Sequence, residues 1–238
     1  GAALERVAPH DERLGALQAV YGDEARQAAG AAELAIKSGH RVGPFHGVPF
    51  ALKDIVNLEG RNTTAGRMAQ QDRVSPSTAV IAQRLLAAGG VLIGKTKTVE
   101  FAMGGWGTNR RMGTPWNPWD LDTPRTPGGS SSGSGVAVAA GFVACAVGTD
   151  TGGSVRLPAA WCGITGLKVT EGRLPIDGIV PLAHSLDTPG PMARSVADAV
   201  LMFLVMDGME ASALERQMRA REGLFAARES GRLLGVAG

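Results

Sequence analysis

The sequence predicts an α/β fold: a mixed, mostly parallel central sheet surrounded by helices. Three observations carry this. Short apolar runs of strand length, such as Val91-Leu92-Ile93, alternate with segments of helical character. Hydrophobic residues make up 44% and charged residues 19%, the balance of an ordinary globular core rather than of a disordered chain. A length of 238 residues closes one large domain without requiring a second.

Taken in order, residues 23–38 read as an alanine-rich helix capped by Asp23. A loop carrying Pro44 follows, then a short strand from Gly47 to Lys53. Ser75-Pro76 has the form of a helix start, serine at the cap and proline in the first turn, with the helix running to Ala88 and ending on Gly89-Gly90. Val91 to Ile93 is a buried strand. From Gly104 to Ser132 there is no periodicity, and Pro115, Pro118, Pro124 and Pro127 make it a long loop, a type that in compact domains usually carries function. Gly135 to Ala140 is helix-like, and Phe142 to Gly148 and Ile164 to Val169 are buried strands. Ser195, with Asp198 three positions on, opens an apolar helix to Met206, and Leu233 to Ala237 reads as one more strand.

Several function classes are excluded by the same numbers. Net charge is +2 and no Lys/Arg run exceeds two residues, so no nucleic-acid partner is expected. The longest apolar stretch, Val200 to Met206, is far short of the ~20 residues a membrane helix needs, so no membrane partner is expected either. Cys145 and Cys162 both sit in apolar settings and read as buried, reduced thiols, which sets the expectation of a cytoplasmic protein. Glycine stands out: 34 residues, about 14% of the chain and roughly twice the usual share. Many cluster between Gly104 and Gly190, where backbone must bend sharply or approach a ligand closely.

Two familiar motifs fail on context. Gly89 to Thr96 matches G-x-x-x-x-G-K-T, but a helix precedes it and its middle residues, Val91, Leu92 and Ile93, suit a buried strand rather than a phosphate loop. Gly129-Ser130-Ser131-Ser132-Gly133 matches G-x-S-x-G, yet the elbow needs a strand leading into its serine, and Thr123 to Pro127 is no central strand. A Ser-His-Asp triad also lacks a convincing base, His184 near Asp187 being the best placed of His10, His40, His46 and His184.

A third constellation is stronger. The loop Pro127 to Gly135 and the segment Gly148-Thr-Asp-Thr-Gly-Gly-Ser-Val-Arg-Leu-Pro158 flank one helix–strand unit and can converge at one edge of the sheet. Gly152-Gly153 ahead of Ser154 leaves backbone N–H groups free to line an oxyanion hole. Lys53 ends a strand within the apolar run Val48 to Val56, where burial favours the neutral amine and makes it a proton acceptor.

With these blocks and Gly47-Val-Pro-Phe-Ala-Leu-Lys-Asp54 and Ser185-Leu-Asp-Thr-Pro-Gly-Pro-Met192, the chain resembles the amidase signature family from about Ala25 onward. The resemblance implies a mixed sheet surrounded by helices and a Ser–cis-Ser–Lys triad. By motif position the nucleophile falls on Ser154, the cis-serine on Ser130 and the lysine on Lys53. The oxyanion hole falls on the backbone of Thr151, Gly152, Gly153 and Ser154, with Ser131, Asp150 and Arg156 in support. Two departures leave the triad untouched: Ser-Ser-Ser-Gly-Ser-Gly where many relatives have Ser-Ser-Gly-Gly-Ser, and Lys97 where asparagine is common. Relatives continue well past Gly238, so residues 1–238 are expected to be a fragment of a single amidase domain lacking its later part.

The resemblance implies hydrolysis of a carboxylic amide, acting on a small-molecule amide with no metal and no cofactor, and it leaves a homo-oligomer open. Two alternatives stand beside it. One is the glutamine-hydrolysing A-type subunit of an amidotransferase, and the other a non-catalytic fragment serving as an interaction module. The geometric demand is specific: Lys53, Ser130 and Ser154 in a chain with links of about 2.6–3.2 Å, or looser without substrate, and a cis peptide bond before Ser130.

Overall fold

A computed structural model of the chain describes residues 1–209, 212 and 213. Its element order is α1 (Ala2–Leu14), β1 (Leu17–Val20), α2 (Gly22–Lys37), β2 (Pro49–Lys53), α3 (Val80–Ala87), β3 (Val91–Thr96), α4 (Ser132–Ala139), β4 (Cys145–Asp150), α5 (Arg156–Cys162), β5 (Thr165–Gly166), β6 (Thr188–Ala193) and α6 (Val196–Met206). Among the described residues the strands form one six-stranded sheet in the order β1-β3-β2-β4-β6-β5. The inner strands β3, β2 and β4 are mutually parallel, while β1 pairs antiparallel with β3 and β6 antiparallel with both β4 and β5. Hence β2 to β5 point one way and β1 and β6 the other, which is the mixed sheet the apolar pattern predicts.

Strand alternation sorts the core into two layers. Phe50 and Leu52 pack with Cys145, Val147 and residues of α3 and α6, including Ile81, Leu85, Met202 and Met206. Ala51, Ala146, Val91 and Ile93 pack on the other face with Val7 and Leu14 of α1 and Val136 to Val138 of α4. Helix α4 is buried from Ser132 to Val138, so it is a core helix without a solvent face.

The topology positions the site. From β2 the chain passes through α3 to β3 on one side, then returns through α4 to β4 on the other side of β2. Order reversal of this kind leaves a crevice outside the carboxyl ends of the two strands, here between Lys53 at the end of β2 and Asp150 at the end of β4.

Several sequence expectations shift. Asp23 does not cap α2: the helix starts at Gly22 after Tyr21, whose N–H is bonded to Ile93 O at 2.8 Å, and Asp23 pairs with Arg26 instead. Ser75 does not start α3. Its hydroxyl lies buried against Thr63 Oγ1 at 2.8 Å and Asn57 Oδ1 at 3.3 Å, so the cap is spent elsewhere and the helix opens at Val80. Helix α4 begins at Ser132 rather than Gly135, β4 is displaced to Cys145–Asp150, and the strand expected over 164–169 is reduced to Thr165–Gly166. Ser195 does cap α6, its Oγ accepting from Asp198 N at 3.1 Å. The strand expected over 233–237 lies outside the described residues.

Candidate active site

Lys53 is fully buried. Its Nζ lies 2.7 Å from Ser130 Oγ and 2.8 Å from Thr149 Oγ1, hydrogen-bonding distances that join β2 to the loop before α4 and to β4. Burial depresses the Lys53 proton affinity most strongly, and the nearby carboxylates of Asp150 and Asp187 oppose it in part. The amine is thereby pushed down to about 7, so near neutral pH it is divided between its two protonation states.

Ser130 follows a cis peptide bond, Gly129–Ser130. Its carbonyl accepts from Val99 N at 3.2 Å and Thr98 Oγ1 at 3.0 Å. Position 129 has to be glycine on contact grounds, since a Cβ there would lie 2.6 Å from Gly104 O and 2.6 Å from Gly107 N. Ser131 is equally buried, and its Oγ lies 3.2 Å from both the N–H and the carbonyl of Thr149. Its N–H donates to Ser154 O at 3.3 Å, which draws the Ser130 loop and the turn after β4 together.

That turn, 151–154, is organised by Asp150. Its Oδ1 accepts from Gly153 N at 2.7 Å and Arg156 Nη2 at 2.9 Å, and its Oδ2 from Val155 N at 3.1 Å, Arg156 N at 3.3 Å and Arg156 Nε at 3.0 Å. Burial alone would raise the Asp150 carboxyl, but these donors outweigh it and hold the group below the usual carboxylate range. Gly153 has φ +133°, a conformation side chains rarely adopt, so the glycine is required for the turn itself.

The residues expected from sequence therefore converge, with two differences. The Ser154 hydroxyl makes no hydrogen bond among the described residues, so the Ser130–Ser154 link is not formed as a hydrogen bond here. The Ser131 N–Ser154 O backbone bond brings the two loops together, and the Ser154 side chain is half-buried. Of the four amides assigned to the oxyanion hole, that of Gly153 is committed to Asp150, whereas those of Thr151, Gly152 and Ser154 make no hydrogen bond among the described residues.

Sequence reasoning misses the roles of Thr149 and Asp187. Thr149 lies just ahead of the turn, on the strand that leads into it. In the sequence Asp187 lies in the block Ser185–Met192 and beside His184, which is exposed, with no role assigned to it; in the fold it is buried and receives Thr151 Oγ1 on one oxygen and Leu182 N at 2.8 Å and Ala183 N at 3.0 Å on the other. The phosphate-loop match dissolves as expected: Gly94 and Lys95 lie inside β3, and the buried Lys95 amine is bonded to Asp54 Oδ1 at 3.0 Å and Thr63 Oγ1 at 2.8 Å. A cavity of about 540 Å³ between the 41–46 loop, α3 and α6 touches none of Lys53, Ser130 or Ser154. Among the described residues no group of His, Cys, Asp and Glu side chains is arranged to hold a metal ion, and no helix is long and apolar enough to cross a membrane. Cys145 and Cys162 are free and buried, and burial pushes each thiol up to about 12.

Known proteins match most of the length of this chain. The family model described as Amidase matches residues 1–233. The chain is 44% identical over 230 residues to the A-type subunit of a glutamyl-tRNA(Gln) amidotransferase from Anaeromyxobacter sp. (strain K), covering 97% of this chain and 46% of the relative. It is 40% identical to a 2-amino-5-chloromuconic acid deaminase from Comamonas testosteroni, covering 94% of this chain and 50% of the relative. The native peptide amidase from Stenotrophomonas maltophilia superposes with a TM-score of 0.81 at 40% identity, covering 89% of this chain and 44% of that one. The chain thus spans about half the length of the curated relatives it matches.

Proposed function

Since this chain belongs to the amidase family, we propose that it carries the nucleophile and base of an enzyme that hydrolyses carboxylic amides through an acyl-enzyme on Ser154. The observation that carries this reading is the buried Lys53 amine 2.7 Å from Ser130 Oγ. In the neutral state the lone pair of Lys53 accepts the Ser130 proton, while one of its N–H groups donates to Thr149 Oγ1. Ser130 in turn accepts the proton of Ser154 as its oxygen attacks the amide carbonyl, once the Ser154 hydroxyl has rotated toward Ser130.

The tetrahedral oxyanion is received by the free amides of Thr151, Gly152 and Ser154, each such donor contributing about 2.7–4 kcal/mol where one has been removed. Gly153, bound to Asp150, shapes the turn rather than donating. Ser131, Asp150 and Arg156 hold the backbone against which the reaction runs. The relay then reverses to protonate the leaving amine or ammonia, water releases the acid, and no cofactor or metal takes part. On this reading residues 1–238 are part of one amidase domain, and the two buried thiols support a cytoplasmic setting.

A second reading is favoured by the amidotransferase relative: the same chemistry directed at glutamine, with ammonia passed to a partner subunit. Labelling with a serine-reactive fluorophosphonate tests the shared mechanism. Stoichiometric labelling that disappears in Ser154→Ala supports it, and labelling that persists in that variant rejects it. Ammonia release from glutamine, compared with simple alkyl and aryl amides, separates the two substrates.

A further inference from the structure

We infer that Asp187 is a positioning residue for the reaction proposed above, one carboxylate tying the turn that carries Ser154 to the 182–183 loop while facing the Lys53 end of the crevice. Asp187 stands immediately before β6, and Thr188, the first residue of that strand, pairs with Asp150 and donates from Oγ1 to Asp150 O at 2.6 Å. This register sets the Asp187 side chain beside Thr151, whose hydroxyl it accepts. Its other oxygen receives the N–H groups of Leu182 and Ala183, so the carboxylate is held from two directions. Thr151 supplies one of the free amides proposed for the oxyanion. Its tether to Asp187 fixes the entry to the turn, as the Asp150–Gly153 bond fixes its middle.

The second half of the argument is electrostatic. Asp187 lines a small cavity together with Thr149 and Thr151, and Thr149 is the hydroxyl that binds the Lys53 amine. The acidic groups acting on Lys53 are Asp150 and Asp187, both favouring its protonated form against burial. They differ in one respect. Asp150 is engaged by the Arg156 guanidinium through two bonds, whereas Asp187 is bound only by backbone amides and a hydroxyl among the described residues. Asp187, whose charge no arginine engages among the described residues, therefore adds to the larger influence of Asp150 in favouring the protonated amine that returns a proton to the leaving group.

The test separates this inference from the hydrolase reading on which it rests. Lys53 is titrated by NMR in chain labelled with 13C at the lysine ε-carbon, its signal identified by its loss in Lys53→Arg. In Asp187→Asn, which keeps the shape and removes the charge, the midpoint is expected to fall by about 1 pH unit. An unmoved midpoint in the folded variant overturns the inference, and this readout needs no activity. In Thr151→Val, which keeps the charge and cuts the tether, the Lys53 midpoint stays and fluorophosphonate labelling slows about 10- to 100-fold. Unchanged labelling there overturns the inference even if Asp187→Asn fails to fold. A wild-type chain that titrates as described but never labels rejects the hydrolase reading and leaves the titration to decide the role of Asp187.

Discussion

Lys53 Nζ lies 2.8 Å from Thr149 Oγ1, a contact between the ends of two neighbouring parallel strands that gives the buried amine a second partner besides Ser130. A neutral amine offers one lone pair, and the Thr149 contact turns it toward Ser130. Thr149→Val is expected to slow fluorophosphonate labelling about tenfold or more, equivalent to ~1.4 kcal/mol of barrier, whereas Thr149→Ser stays near wild type. Circular dichroism spectra that match among all three chains would attribute the loss to the site rather than the fold.

Protonation of Lys53 sets the pH dependence. Burial lowers its affinity for a proton to about 7, and on the proposed mechanism only the neutral amine can accept a proton from Ser130. The labelling rate should therefore rise with pH through about 7 and level off on the alkaline side. Rates measured across this range in one buffer series check it; a profile flat down to acid pH in the folded chain argues against lysine as the base. Lys53→Ala should lower the plateau by several orders of magnitude.

Neither cysteine is expected to contribute. Both thiols are pushed up to about 12 and buried, so iodoacetamide near neutral pH should leave the native chain unmodified and its labelling unchanged. Mass spectrometry before and after urea distinguishes shielded from reactive thiols.

Asp150 is the hub of the turn, with zero exposure and five donors around its two oxygens. Asp150→Asn leaves several of those donors without an acceptor. The expected loss is about 2–4 kcal/mol in urea unfolding. Arg156→Ala should cost less, because half of that side chain already faces water and solvent can replace it. Equal losses in the two variants would contradict this ordering.

Lys95 and Asp54 form a buried ion pair inside the sheet. Calorimetry with Mg·ATP should show no stoichiometric isotherm. Lys95→Ala strands the Asp54 carboxylate in the core and should destabilise the chain by about 3–5 kcal/mol.

Much of the fold and site is legible in the chain. Lys53 stands out as a cation closing an apolar run, and Gly152-Gly153 as a place where backbone must stay uncovered. Context alone disposes of the phosphate-loop match, because Val91 to Ile93 suit only a buried strand. What stays hidden has physical causes. Strand β6 contains Pro189 and Pro191, residues that argue against a central strand by composition, yet their missing N–H groups are tolerated between β4 and β5. The start of α3 is obscured because Ser75 satisfies its hydroxyl across the fold rather than along the helix. Asp187 and Thr149 lie in the quoted blocks, but their contacts arise from the β4–β6 register and the reach of Lys53, which residue type and spacing alone do not reveal. The commitment of Gly153 N–H to Asp150 is likewise a matter of a turn closing on itself.

The crevice between β2 and β4 has a kinetic consequence. Its contacts join positions separated by 77 residues, from Lys53 to Ser130, and by 96, from Lys53 to Thr149. Helices α1, α2 and α3 can gain structure from neighbours along the chain, but the base and its partners meet only after β4 has docked beside β2, at the full loop-closure cost of such distant pairing. On the proposed mechanism, activation of Ser154 is expected only once β4 lies beside β2, so labelling by a serine-reactive probe should report that docking during refolding.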